Sequence, residues 1–309
     1  MVNKEEYKKY VKQLLEKEEN MDVRVLSLWY KLGSILLLIF GIVFLLFTIP
    51  SLRFGVNRLF VIAILSIILS ICMIMNIRKT KKYYRGDFRE KIISYLLEEK
   101  KYRFDKNGRI SSLDFECSQF AKKSYSCFRS SDLLVINIPN NDGKKSNIDF
   151  QIADVDAYEL HVDSKGNRST SDVYQGMFGY VTFENKFKCI LTINSGYKLK
   201  GTKLEKVVLE DIDFNNEFDV KSNDQLEARY ILTPDMMEKI LKLEKIIKNV
   251  KIVFANKTLY IGAEKVNMFE LKKYKKGDPL TVFENLYDEI ELVLSIVEEL
   301  KNNDKVFKM

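Results

Sequence analysis

The one histidine of the chain, His161, lies in a strand-like run between Glu159 and Asp163. Residues two apart share a face on a strand, so both carboxylates would flank the imidazole. A catalytic triad needs a placed nucleophile beside such a histidine, and a zinc site needs further nitrogen or sulfur ligands. The sequence has neither pattern. A structural or solvent-exposed His161 is therefore the stronger interpretation, and a catalytic or ligand role is the weaker one.

Five carboxylates crowd one short stretch of the chain: Glu210, Asp211, Asp213, Glu217 and Asp219. From Asp211 onward the spacing begins like a calcium-binding loop. Such a loop needs Gly at its sixth position and a bidentate Glu at its twelfth, and here these positions hold Asn216 and Ser222. A solvated turn is the better interpretation. Gly-rich phosphate-binding loops are also missing from the sequence, so we expect no metal and no cofactor.

The third candidate is the polar set Gln225, Glu227 and Arg229. On a strand these three side chains would share one face. A functional interpretation is a recognition face on which Arg229 holds a carboxylate or phosphate. A structural interpretation is an internal Glu227–Arg229 ion pair, and it is modestly favoured because no nucleophile or metal pattern accompanies the pair. We therefore predict no catalytic residue.

Turn signals separate short apolar runs in the middle of the chain, which predicts strands. The runs are 132–138, 148–152, 157–162, 173–183, 188–193, 207–209, 218–220 and 226–232. Thr233-Pro234 should begin a helix, a hairpin should follow over 250–261, and Thr281 should open a last helix. Turns this short cannot hold parallel crossovers, so the fold class is α+β with a mainly antiparallel sheet and covering helices. Gly176 and Gly179 should mark a bulge or a close backbone approach.

Two uncharged apolar runs stand near the start of the chain, Leu32–Leu52 and Leu59–Ile77. Each is long enough to cross the roughly 30 Å hydrocarbon layer as a helix, so the sequence predicts a two-helix transmembrane hairpin. The predicted domains are 1–31, an amphipathic helix and basic collar, 32–77, the hairpin, and 78–309, the α+β domain. Small residues that would allow close packing of the two helices are Gly33, Ser34, Gly41, Ser66 and Ser70.

The basic residues give the hairpin an orientation. Lys and Arg number seven in residues 1–31, two in the loop between the spans and seven in 78–91. Because such residues favour the cytoplasmic side, the chain should lie in the cell membrane with both termini in the cytoplasm. The predicted membrane-interface residues are Trp29, Tyr30, Arg78, Lys79, Lys81, Lys82, Tyr83 and Tyr84. Residues 92–309 sum to −1, which argues against nucleic-acid binding.

The block Asp224–Pro234, D-Q-L-E-A-R-Y-I-L-T-P, resembles the hallmark of a bacterial family catalogued as domain of unknown function three-one-three-seven. Tyr174–Phe178 resembles the family's aromatic-Arg-Gly-Leu-Phe element, with Gln175 in place of Arg. The end of the chain is similar to the family's ending, with Phe307 in place of the closing Trp. The resemblance covers most of residues 80–307. It implies two N-terminal spans and one soluble domain, and it implies no established activity.

These features lead us to expect a membrane-anchored protein whose cytosolic scaffold domain binds a partner protein or the membrane surface, without catalysis. Its partners should be the lipid bilayer and another membrane or cytosolic protein, and a homo-oligomer stays open. Two alternatives are a membrane-bound enzyme that acts on a lipid or peptide through carboxylates, and a subunit of a larger membrane complex. A pocket converging on Glu227, Arg229 and Asp213 would favour the enzyme. A pleckstrin-homology-like domain, with the C-terminal helix closing a curved sheet, is one refinement of the fold.

Overall fold

The computed structural model describes residues 3–20, 23–48, 58–98, 101–121, 123–139, 147–194, 196, 201, 203–266, 268–269 and 279–307. Its helices are α1 (Lys4–Asn20), α2 (Val23–Thr48), α3 (Arg58–Leu96), α4 (Ser112–Ser118), α5 (Ile212–Glu217), α6 (Gln225–Ile231), α7 (Pro234–Ile247) and α8 (Pro279–Asn302), followed by the short 3-10 helix Asp304–Val306. Its strands are β1 (Lys101–Asp105), β2 (Cys127–Ile138), β3 (Ile148–Val162), β4 (Arg168–Thr182), β5 (Leu191–Ile193), β6 (Glu205–Lys206), β7 (Val220–Ser222), β8 (Val250–Ala255) and β9 (Thr258–Glu264). Contacts divide the chain into two compact units, Glu5–Ile92 and Ile93–Met309 with the first four residues.

The described strands join one nine-stranded sheet in the order β1-β2-β3-β4-β9-β8-β5-β7-β6. Each pairing between neighbouring strands is antiparallel, which confirms the α+β fold with a mainly antiparallel sheet. The runs predicted at 148–152 and 157–162 are one continuous strand, β3. A register shift between Ala157 and Tyr158 interrupts its pairing with β4, and such a bulge breaks the alternation of side chains that defines a strand in the sequence.

Both faces of the central strands are buried. The face that carries α4 holds a cluster of Ile110, Phe115, Phe120, Leu133, Ala153, Val155, Ala157, Tyr174, Phe178, Val253, Ala255 and Tyr260. Positions that alternate with these, such as Ile152, Met177 and Ile261, are buried on the opposite face. Strands covered on two sides appear in the sequence as continuous apolar runs, which is why β8 and β9 were predictable.

Gly176 lies where β4 and β9 approach closely, opposite Glu264. A β-carbon at position 176 would lie 2.0 Å from the main-chain oxygen of Ala263. The prediction that this glycine marks a close backbone approach is confirmed, because no other residue fits there without a shift of the neighbouring strand.

Helix α7 begins and ends as its sequence directs. The Thr233 hydroxyl accepts a hydrogen bond from the Met236 N–H at 3.2 Å, and Pro234 is the first residue of the helix, which confirms the predicted start. At the other end, the Glu244 carboxylate accepts from the main-chain N–H groups of Asn249 and Val250 at 2.8 and 2.7 Å. These two bonds fix the turn that leads into β8.

The strand predicted over 226–232 is wrong, since these residues form most of helix α6. Asp224 is its N-cap and accepts from the N–H groups of Leu226 and Glu227 at 2.9 and 3.1 Å. The strand predicted at 207–209 is also wrong. Only the Val207 N–H continues the pairing of β6, by donating to the Val220 oxygen at 2.9 Å.

In the helical unit, α2 takes in the first predicted span as far as Thr48, and α3 takes in all of the second. Helix α3 then continues to Leu96, well beyond the end of the second predicted span at Ile77. Within the described residues, no helix is both long enough and apolar enough to cross a membrane. The transmembrane part of the hairpin prediction gains no support from that finding.

Within the two predicted spans, small residues occupy the buried positions of α2 and α3. Ser34, Gly41, Ser66 and Ser70 are all buried, and the Ser70 hydroxyl donates to the main-chain oxygen of Ser34 at 2.7 Å. This bond joins the two helices, as expected of close packing between small residues. Gly33 differs from the other four, because a β-carbon there would meet open space.

Large apolar side chains of the same two helices are exposed. From α2 they are Leu32, Ile35, Leu36, Ile39, Phe40, Ile42 and Val43, and from α3 they are Val61, Ile64, Leu65, Ile68, Leu69, Ile71 and Met75. The described parts of the two predicted spans therefore place small residues inside and large apolar residues outside, whereas Ile92, Ile93 and Leu96 near the end of α3 are buried.

Candidate functional site

Gln225, Glu227 and Arg229 do not form the single polar face that a strand would give them. All three lie on helix α6. Side chains two residues apart on a helix are related by a rotation of about 200° around its axis, so they point to nearly opposite sides. Gln225 and Arg229, four residues apart, are neighbours on one side of the helix. Glu227 lies on the other side.

Arg229 bonds to main-chain carbonyls. Its Nη1 donates to the Gln225 oxygen and its Nη2 donates to the Val208 oxygen, each at 3.0 Å. The second bond ties α6 to the segment before α5, 21 residues earlier in the chain. The structure therefore gives Arg229 the role of a clamp between two backbone segments and does not pair it with Glu227.

Glu227 has a different partner. Its Oε2 lies 3.8 Å from Nζ of Lys188, within range of an ion pair but too far for a hydrogen bond. That oxygen is buried and has no hydrogen-bond partner among the residues that the structure describes. Glu227 thus helps to hold α6 against the chain around Lys188.

Cys189 lies beside this contact and is buried. The pKa of its thiol is raised to about 11, mainly by burial; a hydrogen bond with Ser222 opposes this shift, and the nearby carboxylates of Asp224 and Glu227 add to it. A thiol with this pKa is protonated at neutral pH, and the protonated form is a weak nucleophile. The surroundings of α6 therefore contain no activated cysteine at Cys189.

The outward side of this region carries exposed apolar residues, which we call the α5–α6 surface: Val208, Ile212, Leu226 and Tyr230. Their exposed fractions are 61%, 74%, 62% and 48%. Leu226 and Tyr230 are one turn apart on α6. The Arg229 bond to the Val208 oxygen holds that segment beside α6, so both segments contribute exposed apolar residues to this region.

Asn215 attaches α5 to the same segment. Its side-chain nitrogen donates to the oxygens of Leu209 and Asp211 at 2.6 Å each, and its side-chain oxygen accepts from the Leu209 N–H at 3.0 Å. Helices α5 and α6 are thus both bonded to the strip 207–209. These hydrogen bonds fix the backbone of the α5–α6 surface.

Sequence reasoning missed this surface, because the strand prediction for 226–232 placed Leu226 and Tyr230 on the strand face opposite Gln225, Glu227 and Arg229. A signal for the helix was present. Asp224 followed three residues later by Glu227 has the spacing of a capping box, and the residues between Gln225 and Arg229 favour helices.

The acidic cluster is a helix start and not the solvated turn that was expected. Asp211 is the N-cap of α5 and accepts from the Phe214 N–H at 2.9 Å, and Asp219 pairs with Lys221 at 2.7 Å. The other three carboxylates, Glu210, Asp213 and Glu217, have no hydrogen-bond or ion-pair partner within the described ranges. No group of three or more His, Cys, Asp or Glu that could hold a metal occurs in the part of the chain that the structure describes.

His161 lies near the exposed tip of the β3–β4 hairpin. Its Nε2 lies 3.0 Å from the Ser171 hydroxyl and 3.7 Å from the Glu159 carboxylate. Asp163 instead closes the turn, where it accepts from the side-chain and main-chain N–H groups of Asn167, and these bonds lower its pKa. Glu159 therefore flanks the imidazole as expected, and Asp163 does not.

Two surface clefts lie elsewhere on the domain, and neither contains the predicted residues. One lies between α7 and α8 and is lined by Asp235, Lys239, Ser295, Glu298, Glu299, Asn302 and Asn303. The other, beside the end of α4, is lined by Glu116, Gln119, Ala121, Lys123, Ser124, Tyr125 and Gly196. Neither cleft converges on Glu227, Arg229 and Asp213, so these clefts do not favour the enzyme alternative.

The predicted membrane-interface residues lie on α2 and α3: Trp29, Tyr30, Arg78, Lys79, Lys81, Lys82, Tyr83 and Tyr84. Their side chains lie outside the part of the chain that is described. Their role as interface residues stays a prediction.

Residues 172–302 match the model of a family described as protein of unknown function, DUF3137. The match confirms the family resemblance over this range, and it contains α5, α6, α7 and α8. The α5–α6 surface therefore lies inside the DUF3137 segment.

No curated protein matches the chain. Among solved structures, the crystal structure of the mycobacterial trehalose monomycolate transport factor A, TtfA, is similar with a TM-score of 0.28 and 7% sequence identity. The alignment covers 64% of this chain and 92% of that one. A similarity at this level carries no argument about function.

Proposed function

We propose that this protein is a non-enzymatic membrane protein, anchored by the hairpin of residues 32–77, whose α+β domain binds a partner protein on the cytosolic side. The observation that carries the anchor is the reversed burial in the predicted spans of α2 and α3. Serine and glycine are buried there, and fourteen large apolar side chains are exposed.

Such a surface is unfavourable in water. Full burial of one Leu, Ile or Phe side chain is worth about 1.5–3 kcal/mol, and soluble monomers rarely expose a contiguous apolar patch of this extent. In a bilayer the same side chains contact acyl chains at no cost, and close packing of small residues supplies the association between the helices. Lipid is the environment that fits both halves of this pattern.

The cytosolic side is proposed from the basic residues. Sixteen Lys and Arg lie within residues 1–31, 53–58 and 78–91, and only two of these lie in the loop between the spans. The remaining domain is close to neutral, which supports a protein partner over a nucleic acid. The pleckstrin-homology-like arrangement remains part of this proposal, supported by a buried C-terminal helix after a mainly antiparallel sheet.

Extraction of the full-length protein from its native membranes tests the anchor. The protein should stay in the membrane pellet in alkaline carbonate and should dissolve in a mild non-ionic detergent. Recovery of the full-length chain in the soluble fraction after lysis without detergent would contradict the proposal.

Reporter fusions test the orientation. Alkaline phosphatase fused after Met309 should be inactive, because that enzyme folds only outside the cytoplasm, and the same enzyme inserted between Arg53 and Arg58 should be active. The reverse pattern would place the α+β domain on the other side of the membrane.

A further inference from the structure

The α5–α6 surface has the geometry of a docking site for a helix. Leu226 and Tyr230 are four residues apart on α6, so their side chains lie about 5–6 Å apart along one side of the helix. Side chains spaced in this way form an apolar row that can contact the i, i+3 or i, i+4 row of an amphipathic helix laid against it. Val208, held beside α6 by Arg229, adds a third apolar group.

The chain segment that carries this surface is strongly acidic. Residues 207–230 contain seven carboxylates and two basic residues, a net charge of −5 in a chain whose total is +7. Lys221 is paired with Asp219, and the Arg229 guanidinium is held by carbonyl oxygens. Glu210, Asp213 and Glu217 keep their charge unpaired within the described residues, beside Ile212.

These charges decide between the classes of occupant. An anionic membrane surface would be repelled by carboxylates, and a second α5–α6 surface would bring two acidic regions together. A cationic segment gains attraction from every unpaired carboxylate, and its apolar side would cover the exposed leucine and tyrosine. Complementary charge of this kind increases the rate of association and selects the partner.

We propose that the α5–α6 surface binds a basic amphipathic helix of a partner protein, with Leu226 and Tyr230 as the apolar contacts and Glu210, Asp213 and Glu217 as the acidic rim. This inference rests on the proposed function as a partner-binding domain. It goes further by assigning the surface and the chemistry of the partner.

Site-specific photocross-linking in native membranes tests the proposal with the full chain. Tyr230 is replaced by a photoreactive phenylalanine derivative, and the cross-linked peptide is identified by mass spectrometry. The matched control carries the same group at Leu113, which is 67% exposed on α4. We expect position 230, and not position 113, to capture a partner segment that has net positive charge and apolar residues at helical spacing.

A charge variant shows whether the acidic rim contributes to binding of the partner. Combining Glu210→Gln, Asp213→Asn and Glu217→Gln should lower the cross-linking yield at position 230 about fivefold or more, because three attractive pairs are lost. High salt should lower it in the same way. The matched control combines Glu98→Gln, Glu116→Gln and Glu291→Gln, three exposed carboxylates elsewhere, and should leave the yield unchanged.

Capture of lipid, of a second copy of this chain, or of a segment without positive charge would overturn the assignment. So would a cross-linking yield at position 230 that is no higher than at position 113, or one that the charge variant does not lower. These results leave the anchor intact as long as the chain stays in the membrane pellet. Loss of the chain from that pellet contradicts the proposed function and is measured on the same samples.

Discussion

The helical hairpin and the sheet domain bury opposite kinds of side chain. In the described parts of α2 and α3, Ser34, Ser66 and Ser70 are inside and residues such as Leu36 are outside. In the domain, aromatic rings are inside, and Phe115 has no exposed surface. The same chain therefore follows two burial rules, which is what the proposed lipid anchor would produce. Water excludes the rings of the domain, and lipid gives no such force between helices.

The largest expected effect is in the core of the domain. Phe115→Ala should lower the free energy of unfolding by about 3–5 kcal/mol, because it removes a fully buried ring and leaves a cavity. Its ring lies 5.0–6.0 Å from the rings of Tyr125, Phe128, Tyr174 and Phe178. Urea denaturation of the full-length protein in detergent, followed by pulse proteolysis of the domain, measures the change. The control Leu113→Ala, on the same helix but exposed, should stay within about 0.5 kcal/mol.

Two glycines sharpen the comparison at the level of the backbone. Gly176→Ala should destabilise the domain by about 1–3 kcal/mol, since its new methyl group would overlap the Ala263 oxygen and push β4 away from β9. Gly33→Ala on α2 meets open space and should stabilise its helix by up to about 1 kcal/mol. The same denaturation assay measures the first, and circular dichroism of the full chain measures the second. Equal changes in stability at positions 176 and 33 would show that the backbone is no more tightly packed between β4 and β9 than it is around Gly33 on α2.

Arg229→Ala tests a contact between two backbone segments in the domain. We expect a loss of about 1 kcal/mol, because hydrogen bonds from a charged donor to the Gln225 and Val208 oxygens disappear and the site is exposed to solvent. The control Arg168→Ala removes an exposed arginine near the tip of the β3–β4 hairpin and should change little. A loss at Arg229 no larger than at Arg168 would show that the clamp does not stabilise the domain.

The sequence was sufficient wherever structure depends on neighbours in the chain. The hairpins of β2–β3 and β8–β9 follow from turn residues between apolar runs, and the start of α7 follows from Thr233 and Pro234. Helix α6 was missed because a seven-residue run is too short for its period to separate a helix from a strand. Its exposed Leu226 and Tyr230 also hid the apolar side of the helix, since apolar residues are normally expected to be buried.

The contacts at the candidate site depend on residues far apart in the chain. Arg229 meets the carbonyl of Val208, and Glu227 meets Lys188. Nothing in the spacing of Gln225, Glu227 and Arg229 indicates these partners. The small residues of the hairpin were easier to predict, because Ser34 and Ser70 lie inside long apolar runs where any polar residue stands out.

Ser70→Ala tests the bond between the helices of the hairpin. We expect a loss of about 0.6 kcal/mol in the pairing of α2 and α3, the average for hydrogen bonds between membrane helices. The variant keeps the small volume that the buried position requires, so the packing itself should persist. Titration with SDS of the full-length protein in mixed micelles measures the change. A loss as large as that of Phe115→Ala would mean that the hairpin depends on this bond as the domain depends on its core.

Leu36→Ala should have the smallest effect and tests the comparison most directly. Leu36 is 65% exposed, so in lipid its truncation removes contacts with acyl chains and few contacts with protein. The pairing of α2 and α3 in the SDS titration should therefore stay within about 0.5 kcal/mol of the wild type. A loss of about 2 kcal/mol or more, as in the truncation of a buried leucine, would show that protein and not lipid covers this face. The two burial rules would then reduce to one, because the exposed leucines of the hairpin would belong to a core completed by another chain.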